Sequence, residues 1–82
     1  MKIKPLRKDL SDYIIKNNLT KRWIKALSLF NSNLKHPSLN TELLEPHWRG
    51  IYSFRIDRKY RALFFITNDE IEIFQITNHY KK

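Results

Sequence analysis

The apolar residues of this 82-residue chain change their period at Gly50, its only glycine. Before Gly50 they recur at helical spacing, and after it they alternate in runs rich in Ile, Phe and Tyr. Spacings of three and four residues predict amphipathic helices, whereas alternation predicts half-buried strands. We therefore expect an α+β fold in which helices lie on one face of a sheet.

The first half of the chain predicts a short N-terminal strand and a helical hairpin. Residues 1–4 alternate, and Pro5 follows them where the first turn of a helix could begin. Asn17 and Asn18 are expected to end the first helix, and Thr20 to cap the second. The two apolar faces, which we expect to be core, are Leu6, Leu10, Tyr13 and Ile14, then Trp23, Leu27, Phe30 and Leu34.

The second half predicts a three-stranded antiparallel meander. Its strands are expected at residues 51–56, 60–66 and 70–77, because polar residues separate these apolar runs. The segment 31–50, with Pro37 and Pro46, is expected to be a long connection with little regular structure. The prediction is thus an N-terminal strand, a helical hairpin and a three-stranded meander, in a single domain spanning residues 1–82.

The register of the meander decides which side chains share a face, and two registers are open. A three-residue loop at 57–59 and a two-residue turn at 68–69 would gather one wholly apolar face: Tyr52, Phe54, Ile56, Ala62, Phe64, Ile66, Ile71 and Ile73. The opposite, open face would carry Ser53, Arg55, Arg61, Leu63, Phe65, Glu72, Phe74 and Ile76, and run on toward Tyr80. An even first loop would bury Arg61 among aromatic rings, so the cost of burying a charge favours the odd loop. We expect Arg55 and Arg61 to be neighbours at the surface of the open face.

The charge of the chain points to an anionic partner. Sixteen Lys and Arg against eight Asp and Glu give a net charge of +8 at pH 7 and a pI near 10.0. A small surface with this charge attracts a polyanion or an acidic protein. The chain has no cysteine, which excludes disulfides, thiolate metal sites and a cysteine nucleophile, and fits a reducing compartment.

Nothing in the sequence suggests a membrane or an exported protein. Residues 1–5 lack the apolar core of a signal peptide, and no apolar run approaches the roughly 18–20 residues of a membrane span. We expect a cytoplasmic protein with no membrane partner.

Basic and aromatic residues alternate along the second half, and this mixture is typical of RNA binding. Guanidinium groups bind phosphates and flat rings stack on unpaired bases. The residues are Trp48, Arg49, Tyr52, Arg55, Arg58, Lys59, Tyr60, Arg61, His79 and Tyr80. Tyr52 and Tyr60 are better explained as core residues, but an arginine within a strand needs a partner or a use.

The sequence contains no pattern typical of a metal site or of a phosphate-binding loop. His36, His47 and His79 are scattered, and there is no glycine-rich phosphate loop or His-Glu-x-x-His motif. We therefore expect no metal site and no cofactor.

An ordered set of short segments carries a resemblance to a known family. The segments are Glu42-Leu43-Leu44, then Gly50-Ile51-Tyr52-Ser53-Phe54-Arg55-Ile56, then Tyr60-Arg61-Ala62-Leu63-Phe64, and finally His79-Tyr80. Over nearly the whole chain this set resembles the RelE/ParE superfamily of bacterial toxins, nearest to the YoeB-type ribosome-dependent mRNA interferases. The chain departs from the YoeB pattern at residues 36–39 and in Lys81-Lys82, which follow the tyrosine.

The resemblance implies a toxin of a type II toxin–antitoxin system with a RelE-like fold, which cleaves ribosome-bound mRNA without a metal. By position, Glu42 would match the general base and Arg61 the arginine that stabilises the phosphate. His79 would match the general acid, and Tyr80 the ring that orients the substrate. Arg55 would match a basic position used on the substrate, and an acidic antitoxin would cover the basic face.

The residues support this chemistry independently. Cleaving RNA through its own 2′-hydroxyl needs a base, an acid and a cation near the phosphorus, and Glu42, His79 and Arg61 supply one each. The unperturbed pKa of a histidine, about 6.5, suits either proton role, so the labels of Glu42 and His79 could be exchanged. Arg49, Arg55, Arg58 and Lys59 are expected to bind RNA. Two alternatives are a ParE-like DNA gyrase inhibitor without nuclease activity and a plain RNA-binding module.

Overall fold

The computed structural model describes residues 2–78 and has two helices beside one five-stranded mixed sheet. The elements are β1 (Lys2–Ile3), α1 (Lys8–Lys16), α2 (Thr20–Ser32), β2 (Glu42–Leu43), β3 (Tyr52–Arg55), β4 (Arg61–Thr67) and β5 (Glu70–Thr77). The strand order is β1-β5-β4-β3-β2, with β1 parallel to β5 and the other pairs antiparallel. The predicted α+β class, hairpin and meander are confirmed.

The segment 31–50 has more regular structure than its composition predicted. It contains strand β2, which forms one edge of the sheet, and two turns of 3-10 helix at Pro37–Leu39 and His47–Arg49. A strand of two residues is too short to show an alternating pattern in the sequence, so periodicity could not reveal β2.

The turn between the helices is held by packing. Asn18 adopts a left-handed φ of 56°, which ends α1 as predicted. The prediction that Thr20 caps α2 is wrong, because Thr20 is the first helical residue and Leu19 occupies the cap without a side-chain hydrogen bond. Leu19 is completely buried, and its N–H donates to the carbonyl of Ile14 at 2.8 Å. The buried side chain of Leu19 therefore anchors the connection between the two helices in the core.

A cluster of aromatic rings joins the second helix to the sheet. Phe30 of α2 stacks on Phe54 of β3 with ring centroids 4.5 Å apart, and meets Phe64 of β4 edge-on at 5.1 Å. Trp23 stacks on the other side of the cluster, 6.0 Å from Phe54. Phe54 and Phe64 have no exposed surface. The predicted apolar faces of α2 and of the sheet thus supply most of the core, although Ile66, near the end of β4, is 39% exposed.

The predicted register of the meander is confirmed at both of its connections. Arg55 pairs with Arg61, and the N–H of Ile56 donates to the carbonyl of Tyr60, so the first loop has three residues. Thr67 pairs with Glu70 across a two-residue turn. Both residues of that turn, Asn68 and Asp69, have positive φ, a conformation that these residue types tolerate and tight hairpins require.

A β-bulge changes the face pattern near the end of β5. Phe64 pairs with Ile73 but Leu63 pairs with Gln75, which leaves Phe74 as an extra residue on β5. Ile76 is consequently opposite Ala62 on the core face and only 6% exposed, so its predicted position on the open face is wrong. The alternation that pointed toward Tyr80 is broken by this bulge, and Tyr80 itself lies outside the described residues.

The aromatic cluster should dominate stability. Phe54→Ala is expected to reduce the free energy of unfolding by about 3–5 kcal/mol, since it empties a completely buried site between two rings. Urea denaturation followed by circular dichroism measures this change. Ile24→Ala, at an apolar position of α2 that is 62% exposed, is the control and should change stability by less than about 0.5 kcal/mol. Equal losses in the two variants would contradict the proposed core.

Candidate active site

A buried arginine is the centre of the candidate site. Arg61, the first residue of β4, is only 9% exposed. Its Nε donates to the hydroxyl of Ser53 at 2.9 Å, and its Nη2 donates to the carbonyl oxygen of Asn40 at 2.6 Å and to that of Ser53 at 3.4 Å. These bonds offset the cost of removing a charged group from water. The prediction that Arg61 is a surface residue is therefore wrong, although it lies beside Arg55 as expected.

The carbonyl that holds Arg61 comes from the connection before β2. The 3-10 turn Pro37–Leu39 ends at Asn40, whose φ of 46° is left-handed and tolerated by asparagine. Leu39 is 1% exposed and anchors the turn in the core. The hydroxyl of Thr41 donates to the carbonyl of Leu34 at 2.7 Å and ties the connection to the end of α2. The acceptor for Arg61 is thus fixed by its neighbours.

Glu42 shares a face of the sheet with Arg61. It is the first residue of the edge strand β2, and its partner across β3 is Ser53. Partners across antiparallel strands point their side chains to the same side, and Ser53 in turn accepts from Arg61. Glu42 is half-buried. Strand β3 separates β2 from β4, so the backbones of β2 and β4 are about 10 Å apart. The side chains of Glu42 and Arg61 can therefore both reach toward the space above Ser53.

The other predicted cations are divided between the two ends of β3. Arg55, at the end of β3, is exposed, and so are Arg58 and Lys59 in the following loop. These three lie at the same end of the strand as Arg61. Arg49 belongs to the 3-10 turn before β3, at the opposite end, so the structure does not bring it to Arg61.

The last described strand also ends beside Arg61. Thr77, the final residue of β5, is the partner of Arg61 across β4. The predicted site residues His79 and Tyr80 follow it in the sequence but lie outside the described residues.

A cleft of about 470 Å³ opens along the β2 edge. Its polar lining includes Glu42, Lys35 and His36, and its apolar lining includes Leu43, Tyr52, Phe64 and Ile66. The Nδ1 of His36 accepts from the N–H of Ser38 at 3.1 Å. Tyr52 and Phe64 pair across β3 and β4 on the core face of the sheet, so this cleft opens on the side of the sheet opposite to Arg61.

Sequence reasoning missed two residues that hold Arg61: Asn40 and Ser53. Ser53 had a visible signal, since it is the one small polar residue between Tyr52 and Phe54 in an apolar strand. The role of Asn40 rests on a backbone carbonyl, which no side-chain pattern can indicate.

Within residues 2–78, no three His, Cys, Asp or Glu side chains lie close enough to hold a metal ion. In that same range, neither helix is long and apolar enough to cross a membrane.

Arg61→Lys should destabilise the fold, although it keeps the charge. Arg61 donates from two separate nitrogens, Nε and Nη2, whereas the single ammonium nitrogen of a lysine cannot occupy both positions, so we expect a loss of about 1–3 kcal/mol in the free energy of unfolding. The matched control is Arg55→Lys, at the paired but exposed position, where stability should be unchanged. Urea denaturation of both variants checks this, and equal stability of the two would show that the Ser53 and Asn40 bonds contribute little.

The structure resembles several solved proteins, although no protein-family model and no curated protein sequence matches the chain. The YoeB–YefM toxin–antitoxin complex from Staphylococcus aureus matches with a TM-score of 0.67 and 22% identity, over 96% of this chain and 94% of the other. A YoeB/ParE toxin from Agrobacterium tumefaciens matches with a TM-score of 0.71 and 16% identity, over 98% and 100%.

YafQ from Escherichia coli matches with a TM-score of 0.72 and 11% identity, over 95% of this chain and 90% of the other. All three alignments cover almost the full length of both chains. They show that the chain has the fold of the YoeB, YafQ and ParE-type proteins, which is the RelE/ParE fold that the sequence resemblance predicts.

Proposed function

We propose that this chain is the toxin of a type II toxin–antitoxin system and a metal-independent endoribonuclease that cleaves ribosome-bound mRNA in the cytoplasm. The observation that carries the proposal is the placement of Glu42 and Arg61 on one face of the sheet, around Ser53. The shared fold of YoeB and YafQ supports it.

The proposed reaction is attack by the 2′-oxygen of the RNA on the adjacent phosphorus. A bond forms between the 2′-oxygen and phosphorus and the bond to the 5′-oxygen breaks, leaving a 2′,3′-cyclic phosphate and a 5′-hydroxyl. Glu42 takes the proton of the 2′-hydroxyl, and His79 gives a proton to the departing 5′-oxygen. The reverse assignment of Glu42 and His79 balances equally well.

Arg61 would stabilise the charge that gathers on the phosphoryl oxygens. Its guanidinium is held by Ser53 and Asn40, so it needs little rearrangement during the reaction, which is the condition for effective electrostatic catalysis. Because Thr77 pairs with Arg61, β5 ends beside this arginine, and His79 follows two residues later in the sequence. This supports a role for His79 as the second proton-transfer group, with Tyr80 orienting the substrate.

The surrounding charge suits both an RNA substrate and an acidic antitoxin. Arg55, Arg58 and Lys59 are exposed at the same end of β3 as Arg61, where they would bind phosphates, and Arg49 would contact the strand farther along. The S. aureus YoeB structure is a complex with the YefM antitoxin, which supports an antitoxin partner here. With a net charge of +8, that partner should be acidic where it contacts this chain.

A second candidate is a ParE-like gyrase inhibitor without nuclease activity. It is favoured by the bonds of Arg61 to Ser53 and Asn40, which give this residue a structural use even without catalysis. One assay separates the candidates, because a nuclease creates new message ends, whereas a gyrase inhibitor blocks supercoiling and leaves the message intact.

Glu42→Gln should reduce message cleavage by at least about 100-fold, because the amide cannot accept the proton of the 2′-hydroxyl. The measurement is primer extension on the message after an in vitro translation reaction with added protein. Glu45→Gln is the matched control, since Glu45 lies three residues away and its side chain is 87% exposed. Cleavage by Glu42→Gln at the wild-type rate would reject Glu42 as a proton-transfer group.

Cleavage should not depend on a transition metal. The proposed groups supply the base, the acid and the stabilising cation, so a chelator that removes zinc and copper but leaves Mg²⁺ on the ribosome should not change the rate. The same translation and primer-extension assay measures it. Loss of cleavage on chelation, with recovery on adding back zinc or copper, would reject the metal-free mechanism.

A further inference from the structure

A basic pocket of about 240 Å³ lies between α2 and the end of β3, next to the candidate active site. Arg22 and Lys25 of α2 and Arg55 of β3 contribute its charged walls, together with Asp57. Ala26 and Leu39 are buried apolar residues that also line it. The proposed catalytic mechanism does not use Arg22 or Lys25, so the positive charge of this pocket has a different explanation.

The pocket carries an excess of positive charge. Its three cations and one carboxylate give a net charge of +2. Asp57 is already engaged: its Oδ2 lies 3.4 Å from Nη1 of Arg22, and its Oδ1 accepts from the N–H groups of Lys59 and Tyr60 at 2.8 Å. Lys25 and Arg55 form no ion pair with any acidic residue in the described part of the chain.

Two features of the pocket favour an anion as its ligand. Arg22 and Lys25 lie in the first two turns of α2, whose first turn contains no acidic residue, so the positive end of the helix dipole is not neutralised there. The contact with Asp57 holds Arg22 at the pocket. A guanidinium can donate two parallel hydrogen bonds to the oxygens of one phosphate.

We infer that this pocket binds a phosphate of the RNA strand next to the scissile phosphate. The inference rests on the proposed function, because it takes the strand to lie on Arg61. Arg55 connects the two places, since it lines the pocket and is also the partner of Arg61 across β3 and β4. Paired residues in antiparallel strands lie about 4.5–5.5 Å apart at Cα, so one nucleic-acid strand can engage both arginines. The pocket then sets where the strand leaves the active site.

Lys25→Ala and Lys25→Glu test the pocket, because this residue is exposed and its change should leave the fold intact. Lys21→Ala and Lys21→Glu are the matched controls, with the same charge change on the same helix outside the pocket. In the cleavage assay, Lys25→Ala should raise the apparent KM about 5- to 10-fold while kcat is kept, and Lys25→Glu should raise it further. Both Lys21 variants should behave like the wild type.

Binding of a fluorescent oligouridylate, measured by anisotropy at several salt concentrations, provides a readout that needs no cleavage. Removing one phosphate contact should flatten the slope of log affinity against log salt by about 0.7 for Lys25→Ala and leave it unchanged for Lys21→Ala. Circular dichroism of each variant verifies the fold.

The outcomes separate the two proposals. A wild-type protein that cleaves no message overturns the proposed function, whereas equal KM values and salt slopes for the Lys25 and Lys21 variants overturn the pocket assignment. An acidic peptide is the competing ligand. If Lys25→Ala weakens binding of a polyglutamate peptide but not of oligouridylate, the pocket serves a protein partner and the RNA assignment is wrong.

Discussion

The hydrogen bonds of Arg61 connect parts of the chain that are distant in sequence. One guanidinium joins β4, the hydroxyl and carbonyl of Ser53 on β3, and the carbonyl of Asn40 before β2. A charge buried to this degree is tolerated only while its donors remain bonded, so the position of each partner is constrained by the same group. The edge of the sheet that carries Glu42 is therefore coupled to the residue proposed to stabilise the reacting phosphate.

The core supports this arrangement from the opposite face of the sheet. Phe54 lies between Ser53 and Arg55 in β3, and its ring is locked between Phe30 and Trp23 of α2. Since successive residues of a strand alternate in direction, fixing the ring on one side orients the polar side chains on the other. The helical hairpin thus helps to place Ser53, and through it the guanidinium of Arg61.

The sequence predicted those features that repeat or that occupy a tight turn. The change of period at Gly50 indicated the helices and the meander, and Asn68-Asp69 with the 57–59 loop gave the register that placed Arg55 beside Arg61. The bulge at Phe74 shifts the apolar period, since Ile71 and Ile73 are followed on the core face by Ile76. The adjacent pair Ile73-Phe74 was its only signal, and such a pair is equally typical of an unbroken strand with apolar residues on both faces. Local patterns also could not show that Arg61 is buried, since its acceptor at Asn40 is 21 residues away. The roles proposed for Glu42, His79 and Tyr80 come from the resemblance, because the period of apolar residues carries no information on catalytic roles.

The pairing of Arg55 with Arg61 places two like charges on directly opposite positions of adjacent strands. Such a pair repels, and the sheet holds it in place because packing and hydrogen bonds elsewhere outweigh the repulsion. An anion bound between the two side chains, as proposed for the RNA strand, would lower this repulsion. By linkage, a polyanion that binds the folded chain at these two arginines also raises its free energy of unfolding. Recognition of the polyanion and conformational stability therefore depend on the same pair of residues.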